Sequence, residues 1–487
     1  MSEISIAEAE NYTFSVEIEE LSNLIQTRIQ NSALHSATPG RCSIHRVPEK
    51  FHKMTEPSQY KPQVISIGPF HRKDQSLKAM EDLKLFYAHH LLTRTAEKNI
   101  KEEVVATTSR PINLDSPGTL VKKPGWVTIL DECIQSIKKK EPEIRDCYSE
   151  AIDLSSGEFV DMMVIDGLFI IEDFIRAFAG RSIDLLLLEN QLPFFVLQCL
   201  FDHIALPDQF PKTVFLWMMV FHRLKFCLRM LPTEKNLVER AQPLPEECQD
   251  AKHLLDILCI LLQPSPQSDK HVLEANLPSS STWKIQKNIA LLEKFNRGAC
   301  ASTNHEYEVH LIPRATDLKR AGVRFKRGSQ KADSMSFKFS SDGIFEISPI
   351  SIDDGTDTIL RNIIAFEQLY SGRSDMSCYA VLMDCLINSV EDVEILRQVG
   401  IINNHLGCDE DVVNIFNKLC VDVFPDSRYN STTHEVNKFY NQSWSTWKAM
   451  LKSEYFHNPW AIVSVFAAVL LILLTLTSTV TGILQVT

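Results

Sequence analysis

The stretch from Trp460 to Leu484 constrains this chain most, because it carries no ionisable side chain. Asp, Glu, Lys and Arg are all absent after Glu454. About 25 residues at 1.5 Å each reach roughly 37 Å as an α-helix, more than the ~30 Å hydrocarbon core of a bilayer. In lipid such a segment must close its backbone hydrogen bonds internally. The sequence therefore predicts a transmembrane helix ending at Trp460 and Leu484. A buried core helix is the competing reading, but core helices seldom stay free of charge for so long. Lys448 and Lys452 precede the span, and the positive-inside rule puts that side in the cytosol. Trp444, Trp447 and Tyr455 suit an aromatic belt there. The N-terminus is acidic and lacks the apolar core of a secretory signal. The expectation is a tail-anchored, single-pass membrane protein of the plasma membrane or endomembranes. Its body would lie in the cytosol, and residues 460–484 would contact the lipid bilayer.

The rest of the chain has ordinary globular composition. Its 487 residues are 44% hydrophobic and 23% charged, ample for a core. A net charge of -12 argues against a nucleic-acid partner, since phosphate contacts need a basic face. The 12 cysteines include no C-x-x-C pair and read as reduced, buried residues.

Three regions follow from the pattern: an N-terminal extension (1–36), a helical body (37–455) and the anchor (460–484). The extension holds one amphipathic stretch, Phe14 to Ile29. Val64, Ile65 and Ile67, between Pro62 and Gly68-Pro69, form an extended segment. Helical spacing predicts helices over Leu77–Leu92 and over Trp126–Lys140, the second ending before Pro142. Residues near 97–125 and 265–281 read as loops. Ser155 and Glu158 are spaced as a capping box ahead of a buried helix from Phe159 to Ile175. Asp184 to Gln198 reads as helix, turn, helix, with Pro193 in the first turn of the second. Further helices follow at Val214–Met230, His253–Leu262 and Thr316–Gly322. Phe337 and Phe339 then alternate, Asp342-Gly343 signals a hairpin, and Ile344 to Ile352 continues the strand pattern. The fold class is thus mainly α, with a small antiparallel β element near 323–352. Helical pattern returns at Asp357–Leu369, Tyr379–Ile387, Val390–Val399 and Asp409–Cys420, and the last such stretch runs from Thr433 to Leu451.

The chain holds no phosphate-binding loop, dinucleotide fingerprint, zinc-protease helix, nucleophile elbow or kinase signature. No catalytic residue, cofactor or metal is assigned. Cys42-x-x-His45, with His52 and His71 downstream, lacks regular zinc spacing. Lys319, Arg320, Arg324, Lys326 and Arg327 form a basic cluster that reads as a solvated face. Glu189, Asn190 and Gln191 sit between two apolar runs and must be hydrogen-bonded if buried. With Arg361 and Glu367 they make a candidate structural polar network, in which Glu189 and Arg361 would pair and lock the two halves of the body.

Several stretches together resemble the plant "domain of unknown function 247" family, of the UPF0481 type. They include Cys42-Ser-Ile-His-Arg-Val-Pro48, Ile65-Ser-Ile-Gly-Pro-Phe-His71, Cys147-Tyr-Ser149 and Phe159-Val-Asp-Met-Met-Val-Ile-Asp-Gly167. Leu187-Leu-Glu-Asn-Gln-Leu-Pro-Phe195, His253-Leu-Leu-Asp256, Arg361-Asn-Ile-Ile-Ala-Phe-Glu-Gln368 and Pro459-Trp460 extend the resemblance to the anchor. His45 departs from the aromatic usual at its position, and Thr477-Ser-Thr-Val-Thr-Gly482 is richer in Thr and Ser than expected. The resemblance implies a plant source, a helical body and one membrane helix, and it supplies no catalytic residues. Links of some relatives to pollen recognition and stress or defence imply interaction over catalysis. The expected function is therefore an interaction, signalling or recognition protein with a protein partner. The alternative is a membrane-associated enzyme with a cleft around Glu189, Arg361, Glu367 and Gln368.

Overall fold

The computed structural model describes residues 42–53, 59–107, 124–176, 183–205, 212–228, 250–262, 311–328, 335–370, 374–421, 423, 425, 427–442 and 459–486, with 22, 25 and 26 near the N-terminus. Most of the Phe14–Ile29 stretch, the 265–281 loop and the end of the Thr433–Leu451 helix fall outside the described residues.

The first half is a helical bundle: α1 (Ala79–Thr107), α2 (Gly125–Arg145), α3 (Ser156–Arg176), α4 (Phe194–Phe201) and α5 (Lys212–Leu228). α1 packs against α2 and α3, and α3 against α4 and α5. On α1, Tyr87, Ala88, Leu91, Leu92, Thr95 and Ala96 are buried at i, i+4 and i+8 spacing, which is the apolar stripe of an amphipathic helix. α1 also runs through residues 97–107, where a loop is expected from sequence. Glu97, Lys98, Lys101, Glu102 and Glu103 are good helix formers and carry the helix on. α2 likewise passes through Pro142 to Arg145. Pro142 removes one N–H near the end, and Arg145 ties that end down through 3.0 Å bonds to the carbonyls of Ile152 and Leu154.

The capping box is in place: Glu158 N–H donates to Ser155 Oγ (3.3 Å) and Ser155 N–H to Glu158 Oε2 (2.9 Å). α3 is almost wholly buried, and a Cβ added at Gly167 would collide with Leu200 of α4. Asp184–Leu186 forms only a short 3-10 turn, and Pro193 caps α4 with an extended backbone. The first of the two helices expected over Asp184 to Gln198 is thus a single turn.

α6 (Leu254–Leu262) packs on that turn and on α8 (Thr356–Tyr370), joining the halves. The second half adds α7 (Ala315–Arg320), β1 (Arg324–Arg327), β2 (Phe337–Phe339), β3 (Ile344–Ile347) and β4 (Ile350–Ile352) ahead of α8. α9 (Asp375–Leu386), α10 (Val390–Gln398), β5 (Ile402–Asn404), α11 (Asp409–Leu419) and α12 (Ser427–Tyr440) follow it. The β element is mixed, not antiparallel as expected. β2 and β3 pair antiparallel around the Asp342-Gly343 turn, where Gly343 takes a φ of +80°, but β1 pairs parallel to β3. A second, parallel pair joins β4 to β5. One hydrophobic cluster runs through both halves.

The C-terminal helix α13 spans Pro459–Val486. Among the described residues, no helix is long and apolar enough to cross a membrane. This corrects two expectations: a transmembrane helix from Trp460 to Leu484, and a single-pass membrane localisation with a cytosolic body.

Candidate functional site

Residues 42–53 and 59–71 cross the body as a strap with little regular structure beyond one helical turn at Glu49–His52. Its N-terminal end touches residues 147–149 through a parallel bridge between Ile44 and Tyr148. Beyond that bridge the strap pairs with no described strand, so other acceptors must satisfy its buried N–H groups. Side chains from the 184–191 segment and from α3 do so. Asp184 accepts from the N–H groups of Gln63 (3.0 Å), Val64 (2.7 Å) and Ile65 (2.9 Å). Asn190 accepts from Ile67 N–H (2.6 Å) and donates to the carbonyls of Ile65 (3.0 Å) and Asp184 (2.9 Å). Asp166 accepts from Gly68 N–H at 2.8 Å. Glu189 accepts from Val47 N–H at 2.7 Å. Gln191 donates to the carbonyls of Leu185 (2.6 Å) and Leu187 (2.9 Å), and its own carbonyl takes the Tyr148 hydroxyl at 3.1 Å. Asn362 on α8 accepts from Leu188 N–H (2.9 Å) and donates to the Gln59 carbonyl (2.9 Å), tying strap, turn and second half together.

This polar seam is strongly charged. Glu189 is buried between His52 and His71. His52 Nε2 lies 3.1 Å from Oε1, and His71 Nε2 lies 2.9 Å from Oε2, off the line of a hydrogen bond. Burial pushes the Glu189 carboxyl up, but the two histidines pull it further down, to about 2. Asp166 meets Lys84 Nζ at 2.8 Å, and both are 1% exposed. Burial raises the Asp166 carboxyl above its usual range, against the pull of Lys84. His253 is fully buried and neutral, because burial lowers its imidazole to about 4. Its Nδ1 accepts from Asp256 N–H (3.1 Å), which leaves the proton on Nε2 to meet the Ser43 carbonyl at 3.2 Å.

The candidate residues divide into three places. Glu189, Asn190 and Gln191 lie in the seam. Glu367 caps α9, accepting from the N–H groups of Met376 (3.0 Å) and Ser377 (2.8 Å) and the Ser377 hydroxyl (2.6 Å). Burial outweighs these donors and lifts its carboxyl to about 7. Arg361 does not meet Glu189. Its Nε binds Asp357 at 2.7 Å, one turn earlier on α8, and its Nη1 donates to the Lys418 carbonyl at 3.0 Å. The two sites are still linked, because His52 packs edge-on against Tyr60 at 5.4 Å and Arg361 is close enough to Tyr60 to pull its hydroxyl down against the larger upward push of burial. Sequence reasoning missed His52, His71, Asp166, Asp184 and Asn362 as members of the seam.

Arg361 also lines a small depression of about 60 Å³ between the strap, α8 and the end of α11. Phe51, Ile364, Leu419 and Val423 form its apolar walls, and Glu189 is not among its lining residues. Leu369 (38% exposed) and Val421 (43%) stand at its rim beside the exposed Lys418.

The basic cluster is largely paired within its own half. Arg320 faces Asp317 (3.4 Å), Arg324 faces Asp342 (3.4 Å) and Lys326 faces Glu346 (3.2 Å). Among the described residues, no group of three His, Cys, Asp or Glu side chains is placed to hold a metal ion.

These features define a mainly helical protein in which recurrent polar side chains brace one strap. The chain belongs to the plant family of unknown function known as domain of unknown function 247, which it matches over residues 44–474. It is 28% identical over 481 residues to the UPF0481 protein At3g47200 of Arabidopsis thaliana, covering 93% of this chain and 88% of that protein. It is 23% identical over 507 residues to the putative UPF0481 protein At3g02645 of the same plant, covering 89% and 88%. No solved structure matches the chain.

Proposed function

We propose that this protein is an interaction protein that binds a protein partner at the Arg361 depression. One observation carries the reading: an open apolar hollow, rimmed by exposed Leu369 and Val421, has Arg361 and Lys418 as the charged side chains among its described lining residues. Exposed apolar groups beside fixed charge are characteristic of contact surfaces. The hollow holds about 60 Å³, whereas pockets for small-molecule substrates are usually about 300–1,000 Å³. The ionisable groups of the seam are meanwhile engaged in holding the strap, which suits a rigid presenting body better than a reacting centre. A signalling or recognition role is consistent with such a body.

Ala365→Leu, whose longer aliphatic side chain occupies the hollow from α8, tests the reading. Tagged wild-type and variant chains, crosslinked in plant tissue and matched for melting temperature, are compared by quantitative mass spectrometry. At least a tenfold drop of specific partners in the variant is expected. Equal recovery from the two chains refutes the reading.

A further inference from the structure

We infer that the outer edge of β1 receives a fourth strand from a partner protein, and that this strand alternates acidic and apolar residues. The surface is separate from the Arg361 depression and stands on its own observations.

The backbone offers the first of them. The three-stranded sheet has the order β1-β3-β2, so β1 is an edge and pairs with β3 alone. Arg324 N–H donates to the Gly343 carbonyl (2.8 Å) and Gly328 N–H to the Ile347 carbonyl (2.7 Å). In a parallel ladder the bonded residues of a strand alternate, so Arg324, Lys326 and Gly328 turn their backbone toward β3. Phe325 and Arg327 turn theirs outward, where nothing bonds them among the described residues. An open row of N–H and C=O groups is a template for another strand. Addition of an extended peptide to such an edge is an established mode of recognition.

The rows of side chains across the sheet set the chemistry of the incoming strand. Lys338 of β2, Glu346 of β3 and Lys326 of β1 stand in one row. Lys326 Nζ lies 3.2 Å from Glu346 Oε2, and both lysines are exposed. The sign alternates along the row, so the position beyond Lys326 calls for a carboxylate. Opposite charges on paired strands stabilise the pairing, and like charges oppose it. The neighbouring row is Phe339, Phe345 and Phe325, with successive ring centroids 5.6 Å and 6.1 Å apart. Phe345 is fully buried but Phe325, at the edge, is only half-buried. The position beyond Phe325 therefore calls for an apolar side chain. Phe325 and Lys326 are consecutive, and consecutive side chains take opposite faces of a sheet. The incoming strand thus carries acidic groups on one face and apolar groups on the other.

Charge also chooses between partners. Three of the four residues of β1, Arg324, Lys326 and Arg327, are cationic. Among the described residues, Asp342 and Glu346 answer two of them. A second copy of this edge would bring like charges together, whereas an acidic strand meets the remaining positive charge.

The test uses the full-length protein and a fluorescein-labelled octapeptide of alternating Glu and Val, with binding read by anisotropy. This peptide should bind at least tenfold more tightly than one of alternating Lys and Val. Lys326→Glu changes an exposed side chain and should weaken binding at least fivefold. Lys418→Glu, at the Arg361 depression, should change it less than twofold. Two N-methylated peptides separate strand pairing from charge attraction alone. Methyl groups on every Glu nitrogen and on every Val nitrogen point to opposite edges of the strand, so one version should lose binding at least tenfold and the other should keep it. Equal binding of the Glu and Lys peptides, no binding of either, equal losses in the two lysine variants, or equal effects of the two methylations overturns the inference. So does a wild-type dimer that Lys326→Glu dissolves, since the edge would then belong to a second copy.

Discussion

Asp184→Ala should unfasten the middle of the strap. The Asp184 carboxylate is 5% exposed and accepts three backbone N–H groups. Gln63 and Val64 are exposed, so water can replace the carboxylate at their N–H groups. Ile65 is fully buried, and its N–H would be left with no acceptor. A hydrogen bond to a charged group contributes about 1.5–3 kcal/mol, and the two exposed ones should contribute about 0.5 kcal/mol each. The expected loss is therefore about 3 kcal/mol, roughly a fifth to three-fifths of the stability of an ordinary domain. Asp184→Asn keeps one acceptor oxygen and should lose about half as much. Urea unfolding measures both through the midpoint at constant slope. Amide hydrogen exchange adds a local readout: Ile65 should lose protection in Asp184→Ala, while Ile67, held by Asn190, should keep most of its own. A loss below about 1 kcal/mol with Ile65 still protected would refute the idea that this side chain substitutes for a neighbouring strand.

Two further outcomes are expected. Gly68→Ala should destabilise by about 1–3 kcal/mol in the same urea assay, because Gly68 has a φ of +71° and an added Cβ would lie 2.8 Å from the Gln191 carbonyl oxygen. Two carboxyls should give opposite pH dependences. The Glu189 carboxyl is held at about 2, below its ordinary 4.5, so its contribution, of order 3 kcal/mol, is present above pH 4.5 and lost as pH falls toward 2. The Glu367 carboxyl is lifted to about 7, so stability is full below pH 4.5 and declines as pH rises toward and beyond 7. Melting temperature against pH should therefore fall on both sides, and Glu367→Ala should flatten the alkaline side only; an unchanged alkaline limb in that variant would refute the assignment.

Local signals in the sequence translate directly into structure. The Ser155–Glu158 box, the Asp342-Gly343 turn and Pro193 at the head of α4 act within a few residues and appear where the sequence puts them. Pro142 misleads because side chains from the same helix secure its end. β4 and β5 are three residues each and lie far apart in the chain, so no local pattern announces their pairing. The partners of Glu189 are similarly remote, since His52 lies 137 positions away. Arg361 is the instructive case. Asp357 lies four residues before it, a spacing that brings side chains together on any helix, and that near partner prevails over the distant Glu189. The C-terminal helix shows the converse: an unbroken apolar run identified a helix, but no helix among the described residues is long and apolar enough to cross a membrane.

The strap also sets a timetable for synthesis. Val64 leaves the ribosome 120 residues before Asp184, and Val47 precedes Glu189 by 142. At about 5–20 residues per second, the strap waits roughly 6–30 seconds for the side chains that will hold it. Through that interval its Val-Ile-Ser-Ile run is an unpaired, β-prone stretch open to any neighbouring edge. The nascent chain is thus most exposed to mispairing at its beginning, and a chaperone acting early in translation would protect the segment that the finished fold secures late.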